Sequence, residues 1–422
     1  MDRVRHGRCA AALMFALIIT APAVRAGEAA PLRLADVLAR AQEANPEIRV
    51  VRQRAAAMHA VPAQVSAYDD PTVSWEAWDF PDSWRIDQAE NNIFRLAQKV
   101  PWPGKRTLAG RVAEREADAA DHDVRTVRLD LALLVTRAYY DLWLAHADRD
   151  ILARDTQLLE RAARITEQKY GVGAATQADA LRAQVELTHR VTESTTAALA
   201  IETAAAELNA LLSQPPETPL GVPEDPPMLA PRGTLEALTD LALAQRPELA
   251  AQRSAIAREQ TAVELARLGR RPDFEFSVGR FVNYQRSDGF GAMASVTVPF
   301  VYGGKYDAAA SEAGARLVSA EAELRRWQDR IRREVAQAYA RARTARLQHE
   351  LARETHVPQA EQALRVTESA YEAGSTDFLA LLDTLRNVQT IHLQHAEAMA
   401  DLGKATADLE RAVGGELPPA GK

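Results

Sequence analysis

A single pattern occurs twice in this chain, about 200 residues apart. Leu34 to Ile48 reads LADVLARAQEANPEI and Leu235 to Leu249 reads LEALTDLALAQRPEL. Val100-Pro101 with Gly104-Lys105 returns as Val298-Pro299 with Gly304-Lys305, and Tyr170 with Gly173 returns as Tyr371 with Gly374. The offset between matching positions stays between 198 and 201 from end to end. A unit this long exceeds any solenoid repeat, so each copy is a large, similar part of one pseudo-symmetric object.

Within each copy the same order of elements is predicted. Residues Leu34 to about Val65 carry a helical composition that Pro71 ends. Thr72–Phe80 and Asn92–Val100 have strand character and are joined by a polar loop. From Gly104 to about Tyr170 no proline occurs, which predicts one helix about 100 Å long at ~1.5 Å per residue. Its apolar side chains Leu129, Leu133, Tyr140, Leu144 and Ile151 recur at helical spacing. Gly171-Val172-Gly173 breaks that helix and Thr176–Leu212 resumes it, giving an antiparallel hairpin with a tight tip.

The second copy repeats this with helix over Leu235–Leu268, strands over Asp273–Tyr284 and Phe290–Phe300, and helix over Tyr306–Tyr371. A tip follows at Gly374 and helix again from Asp377 to about Val413; Pro358 is expected to interrupt and bend the long helix. The organisation predicted is therefore a first repeat over 27–214, a linker over 215–233, a second repeat over 234–415 and a tail over 416–422. The linker stretch from Pro215 to Pro231 carries seven prolines.

Residues 1–26 precede all of this and have the build of a signal peptide. Arg3, Arg5 and Arg8 lead an apolar run from Ala10 to Ala21, and Val24-Arg25-Ala26 supplies small residues before the expected cut. Without that segment, 57 acidic residues face 47 basic ones, which excludes the clustered basic surface of a nucleic-acid binder. The one cysteine, Cys9, lies in the same segment, so disulfide and thiol chemistry are not expected. No later stretch is apolar enough for a membrane helix, and an exported chain that enters a membrane without one must do so as strands of a barrel.

The strands have the pattern for it. Phe274, Phe276, Val278 and Val282 alternate with Glu275, Ser277 and Gly279, and Ala292, Ala294, Val296 and Val298 with Met293, Ser295 and Thr297. A soluble hairpin lying on the helices shares this alternation. Trp75, Trp78, Trp84 and Trp102 gather around the first pair, as an interfacial girdle or as packing aromatics. Two copies supply four strands, too few to close a barrel, and open edges are not tolerated in lipid. The chain must associate; three copies would give about twelve strands and as many long helical segments.

These features resemble the TolC family of outer-membrane efflux ducts over essentially the whole mature chain. The VPWPGKR stretch at Val100–Arg106 is similar to the strand-to-helix turn of heavy-metal exporters of the CusC and CzcC type. The resemblance implies a mostly α fold with a small β part: a homotrimer with a twelve-stranded β-barrel continued by an α-helical barrel. It places the chain in the outer membrane with a long periplasmic extension. Its implied partners are a periplasmic membrane-fusion adaptor and an inner-membrane pump. The protein would be the passive exit duct, for heavy-metal cations or for drugs and organic compounds. A soluble periplasmic coiled-coil adaptor is the rival class, though an adaptor carries one hairpin rather than two.

The resemblance also marks residues. Asp383 matches one ring aspartate of the periplasmic gate; the other position is Ala380 here, with Asp377 as a partial substitute. Asp179 matches a gate-bonding aspartate of the first tip, and Tyr371 a tyrosine that pairs with that neighbourhood in the closed state. Gly171, Gly173, Thr176, Gly374 and Ser375 form the tip turns where an adaptor would dock. Pro101, Pro103, Gly104, Pro299, Gly303 and Gly304 redirect strand into helix. Structural roles compete with each: a hairpin tip needs glycine where φ is positive, and a tyrosine or a solvated carboxylate can simply pack or face water. His392 and His395 stand three apart on one helix face but have no third ligand in sequence, so no metal site is expected. No cofactor and no catalytic constellation is expected either, so an enzyme is not predicted.

Overall fold

The computed structural model describes residues 31–79, 89–225, 233–283, 286–299 and 301–417. The expected signal peptide, Phe80, Trp84, Tyr284, Phe300, linker residues 226–232 and tail residues 418–422 lie outside these.

The helices are α1 (Leu34–Ala44), α2 (Pro46–Ser66), α3 (Lys105–Gly171), α4 (Gln177–Leu211), α5 (Leu235–Gln245), α6 (Pro247–Leu268), α7 (Gly303–Leu351), α8 (Val357–Glu372) and α9 (Phe378–Val413). The strands are β1 (Thr72–Trp78), β2 (Asn91–Val100), β3 (Phe274–Asn283) and β4 (Gly289–Val296). They form one antiparallel sheet in the order β1-β2-β3-β4. The two strand pairs are thus joined, with β2 and β3 in register from Asn91↔Asn283 to Val100↔Phe274.

Two expectations need correction and one is met. The helix predicted over Leu34–Val65 is two helices, and so is that over Leu235–Leu268. Asn45 and Arg246, each followed by proline, sit at ψ 124° and 126°, because the proline ring disfavours helical geometry in the residue before it. Second, the long α-helix is interrupted just before Pro358, as expected: the chain passes through a π-helical turn at Ala352–His356, which accommodates the missing N–H, and α8 follows directly. Third, the most deeply buried stripe of α3 is Leu131, Val135, Tyr139 and Leu142 rather than the predicted one, in which Tyr140 and Ile151 are buried but Leu129, Leu133 and Leu144 only partly so. The stripe shifts because α1 and the start of the linker cover that face: the Tyr139 hydroxyl donates to the carbonyls of Leu32 and Glu224, both at 2.9 Å.

Packing arranges the helices as columns. α3 lies against α2 and α4 on one side and α6 and α9 on the other; α7 lies beyond α6 and α9, and α8 pairs with α9. The column order α2/α4, α3, α6/α9, α7/α8 repeats the strand order, so each strand runs on into one column. The seam where α6 begins and α9 ends is held by ions. Arg246 bonds Glu248 and Glu334, each at 2.6 Å, and Arg411 reaches Glu248 at 2.8 Å and Asp130 at 2.5 Å.

Burial alone would raise the Glu248 carboxyl, but the bonds and charge of Arg246, with Arg411 beside it, hold it down to about 2. A carboxyl depressed in the folded state adds stability above its unfolded value near 4.5, and that stability disappears as pH falls toward about 2. The contribution at neutral pH is about 2–3 kcal/mol. Glu248→Gln should therefore lower the melting temperature of the purified protein at pH 7 and much less at pH 3. An equal loss at both would show that this carboxylate is not held ionised.

Candidate functional site

The sheet places its two chemistries on opposite faces. Val73, Leu96, Val278 and Ala292 form one cross-strand row, and Trp75, Phe94, Arg280 and Phe290 another on the same face. This face is exposed: Val73 at 78%, Val278 at 58% and Phe290 at 86%. The other carries Ser74, Glu76, Arg95, Lys99, Glu275 and Ser295, with Arg95 paired to Glu76 at 2.9 Å. An uncovered apolar band backed by a polar face is the pattern of a membrane barrel wall. Among the described residues no helix is long and apolar enough to cross a membrane.

At the base of the sheet the turn Pro101–Lys105 is built around Gly104, whose φ of 96° is left-handed backbone that suits glycine. Asp273 at the start of β3 anchors it, accepting the Trp102 N–H and the Lys105 ammonium, both at 2.8 Å, and Trp102 stacks on Phe274 at 6.0 Å. The second turn differs. Pro299 precedes α7, whose first residues are Gly303 and Gly304, neither left-handed. Trp75 lies on the exposed sheet face and Trp78 at the far strand ends, so the predicted tryptophan cluster is divided between the two ends of the sheet.

Far from the sheet, the tips repeat one design. Gly173 (φ 74°) and Gly374 (φ 76°) take the left-handed backbone, while Gly171 is the last residue of α3. The Ala174 N–H bonds the Lys169 carbonyl at 2.7 Å and the Ser375 N–H bonds the Ala370 carbonyl at 2.9 Å, closing the ends of α3 and α8. Thr176 then caps α4 in a reciprocal box, its hydroxyl 2.7 Å from the Asp179 carboxylate. Asp377 occupies the place of Thr176 and caps α9 by accepting the Ala380 N–H at 2.9 Å. Ala380 replaces the acidic partner of that box. Asp383 is exposed on the next turn, with no hydrogen bond or ion pair among the described residues; its counterpart in the first copy is Arg182, which faces Asp179 at 3.5 Å.

Tyr371 is 3% exposed and its hydroxyl lies 2.8 Å from that of Thr166, so it joins α8 to α3. Burial raises its pKa, and the Lys169 ammonium sits 4.3 Å over its ring while bonding its carbonyl. No direct bond links Tyr371 to Asp179.

One turn beyond Asp383 lies a cluster that sequence reasoning missed. Arg386 bonds Glu186 at 2.5 and 3.2 Å; Arg190 bonds Glu186 at 3.3 Å and Glu193 at 2.7 Å, and it also bonds Gln389. Arg190, Glu186 and Gln389 are 4%, 6% and 7% exposed. The Arg386 hydrogen bond holds the Glu186 carboxyl below its usual range against the opposing effect of burial. Glu186 and Arg386 are 200 residues apart, and Arg190 and Gln389 199. The local repeat offset is 201, so these partners lie one or two positions off equivalence, on α4 and α9, which flank α3 on its two sides. The long side chains of α4 and α9 therefore bridge the two hairpins across α3 at this level. A glutamate and an arginine close to the repeat offset, Glu186 and Arg386, were the available sequence signal.

The outer membrane efflux protein profile matches residues 37–214 and 238–415, one segment in each copy. The chain belongs to the outer membrane efflux protein family. It is an outer-membrane protein of a channel family, not an enzyme family. It is 21% identical over 394 residues to the cobalt-zinc-cadmium resistance protein CzcC of Cupriavidus metallidurans, covering 92% of this chain and 91% of that one. With the outer membrane protein TolC of Vibrio cholerae it shares 24% identity over 407 residues, 90% of each. Its fold matches the solved structure of CusC with a TM-score of 0.75 at 14% identity, over 92% of this chain and 93% of that one. Each family segment includes one of the two bridged hairpins.

Proposed function

We propose that this outer-membrane efflux protein is the passive exit duct of a tripartite pump, working as a homotrimer. One observation supports this most: a four-stranded sheet with an exposed apolar face and two open edges, each strand continued by one helical column. An open edge in lipid is costly, so β1 of one copy must pair with β4 of the next, and three copies would close about twelve strands. The helices then extend into the periplasm, where the tips meet a membrane-fusion adaptor and, through it, an inner-membrane pump that supplies the energy. The bridged hairpins, held by Glu186, Arg190, Arg386, Gln389 and the Tyr371–Thr166 bond, are the closed gate.

Heavy-metal cations are the proposed cargo. The similarity to CzcC supports them, as does the exposed carboxylate of Asp383, which lies near Arg386 beside the constriction and would appear three times in the assembly. Tolerance of cobalt, zinc and cadmium in a deletion strain, scored beside tolerance of organic toxicants, tests the assignment. Loss of metal tolerance is expected; sensitivity to organic compounds alone moves the cargo to that class. Asp383→Asn should reduce the cation preference of single channels in a planar bilayer about twofold to threefold. Unchanged selectivity removes Asp383 from the gate.

A further inference from the structure

The apolar core is interrupted midway between gate and seam. Toward the tip, one cluster gathers Leu159 of α3, Ala360 of α8 and Val388 of α9; toward the sheet, the others begin with Ile151, Ala342 and Ala396. Between them lies a layer of histidines and charges. His349 of α7 and His395 of α9 stack face to face, with centroids 5.3 Å apart and planes 17° from parallel. His349 is 3% exposed, and neither of its ring nitrogens, nor Nε2 of His395, has a hydrogen-bond partner among the described residues. One turn nearer the tip, His392 places Nδ1 3.9 Å from Asp155 of α3 and Nε2 3.6 Å from Glu361 of α8. The π-helical turn Ala352–His356 sits at this same level and joins α7 to α8.

The histidines do not make a metal site. The two stacked rings aim their in-plane lone pairs along parallel planes, and the two acids of His392 face opposite edges of its ring. Proton chemistry suits the arrangement better, because the two stations respond in opposite ways. A proton on the stack places a cation against a second ring and beside Arg353, where His349 has no acceptor among the described residues, with Glu350 the opposing charge on α7. A proton on His392 strengthens its contacts with Asp155 and Glu361. We propose that this layer is a proton-sensitive hinge: acid drives α9 from α7 at the His349–His395 stack and fastens it to α3 and α8 through His392. α8 then turns at the π-helical turn, the continuous α9 bends with it, and the gate opens.

The titration directions agree in sign. Burial first, then neighbouring cations, lower the pKa of His349 and of His395 from 6.5. The packed stack therefore loses stability as pH falls below that value. The Asp155 carboxylate, with Glu361 beside it, raises His392, whose anchoring is present at low pH and fades as pH rises through its elevated pKa.

The inference rests on the duct reading, and two measurements separate them. In planar bilayers the full-length protein should show an open-to-closed ratio about tenfold higher at pH 5.5 than at pH 7.5 on the tip side. His349→Phe/His395→Phe keeps the ring packing and should abolish that response. A flat wild-type profile, or a double variant that still responds, overturns the hinge. Amide exchange over residues 345–360 in detergent, corrected for intrinsic rates, is the second measurement. Protection should fall on acidification in wild type and in the conservative His349→Gln variant remain constant; constant wild-type protection overturns the hinge even if the double variant fails to fold. A protein that never conducts, yet whose exchange responds to pH, overturns the duct reading and leaves the hinge standing.

Discussion

Arg190→Leu should hold the gate open. Arg190 and Glu186 are among the most buried charged residues of the chain, and removing one partner of such a pair costs about 3–5 kcal/mol because the other remains charged without compensation. If about 3 kcal/mol of that is specific to the closed state, the open-to-closed ratio rises by roughly a hundredfold. The measurement is single-channel open probability, beside the temperature at which the assembled protein unfolds. Arg386 bonds the more exposed side of Glu186, so Arg386→Ala should act in the same direction with a smaller effect. Replacing Arg190, Glu186, Glu193 and Arg386 together with leucines removes the charges as a set and should restore closure. Wild-type conductance in a correctly assembled Arg190→Leu protein would show that this cluster staples the hairpins without governing their separation.

The second large effect is expected at the sheet. Val278 lies mid-strand on the exposed apolar face, in register with Leu96 and Ala292. An arginine there meets lipid at a cost of about 2–4 kcal/mol per chain. Val278→Arg should be lost from the detergent-extracted outer-membrane fraction. Ser295→Arg, on the opposite face and next to Glu275, should be recovered there at near wild-type amounts. Equal recovery of both variants, or equal loss, would mean the two faces do not see different solvents, and the barrel reading would fail with them.

Much of this architecture was legible before any coordinates. The strand alternation at Phe274–Val282 gave the correct faces, because a period of two is set by the pleat and needs no neighbour to reveal it. Gly173 and Gly374 marked the tips because a left-handed turn after a helix is a local requirement. The breaks at Asn45-Pro46 and Arg246-Pro247 were legible too, yet the strong helix composition on either side hid them. What stayed hidden depended on distant surroundings. The deepest stripe of α3 is selected by α1 and the linker crossing it, not by the helix itself. Asp377 and Asp383 look alike in sequence, yet one binds the backbone as a helix cap and the other is exposed.

The difference is one of range. Periodicity, capping chemistry and the 200-residue repeat act within a turn, a strand or a matched pair of segments, so the chain alone established its helices, strands, hairpin tips and twofold plan. Whether Glu186 meets Arg386, and His349 meets His395, depends on how far the columns lean together. That distance is set by packing summed along three helices, and only the folded molecule reports it.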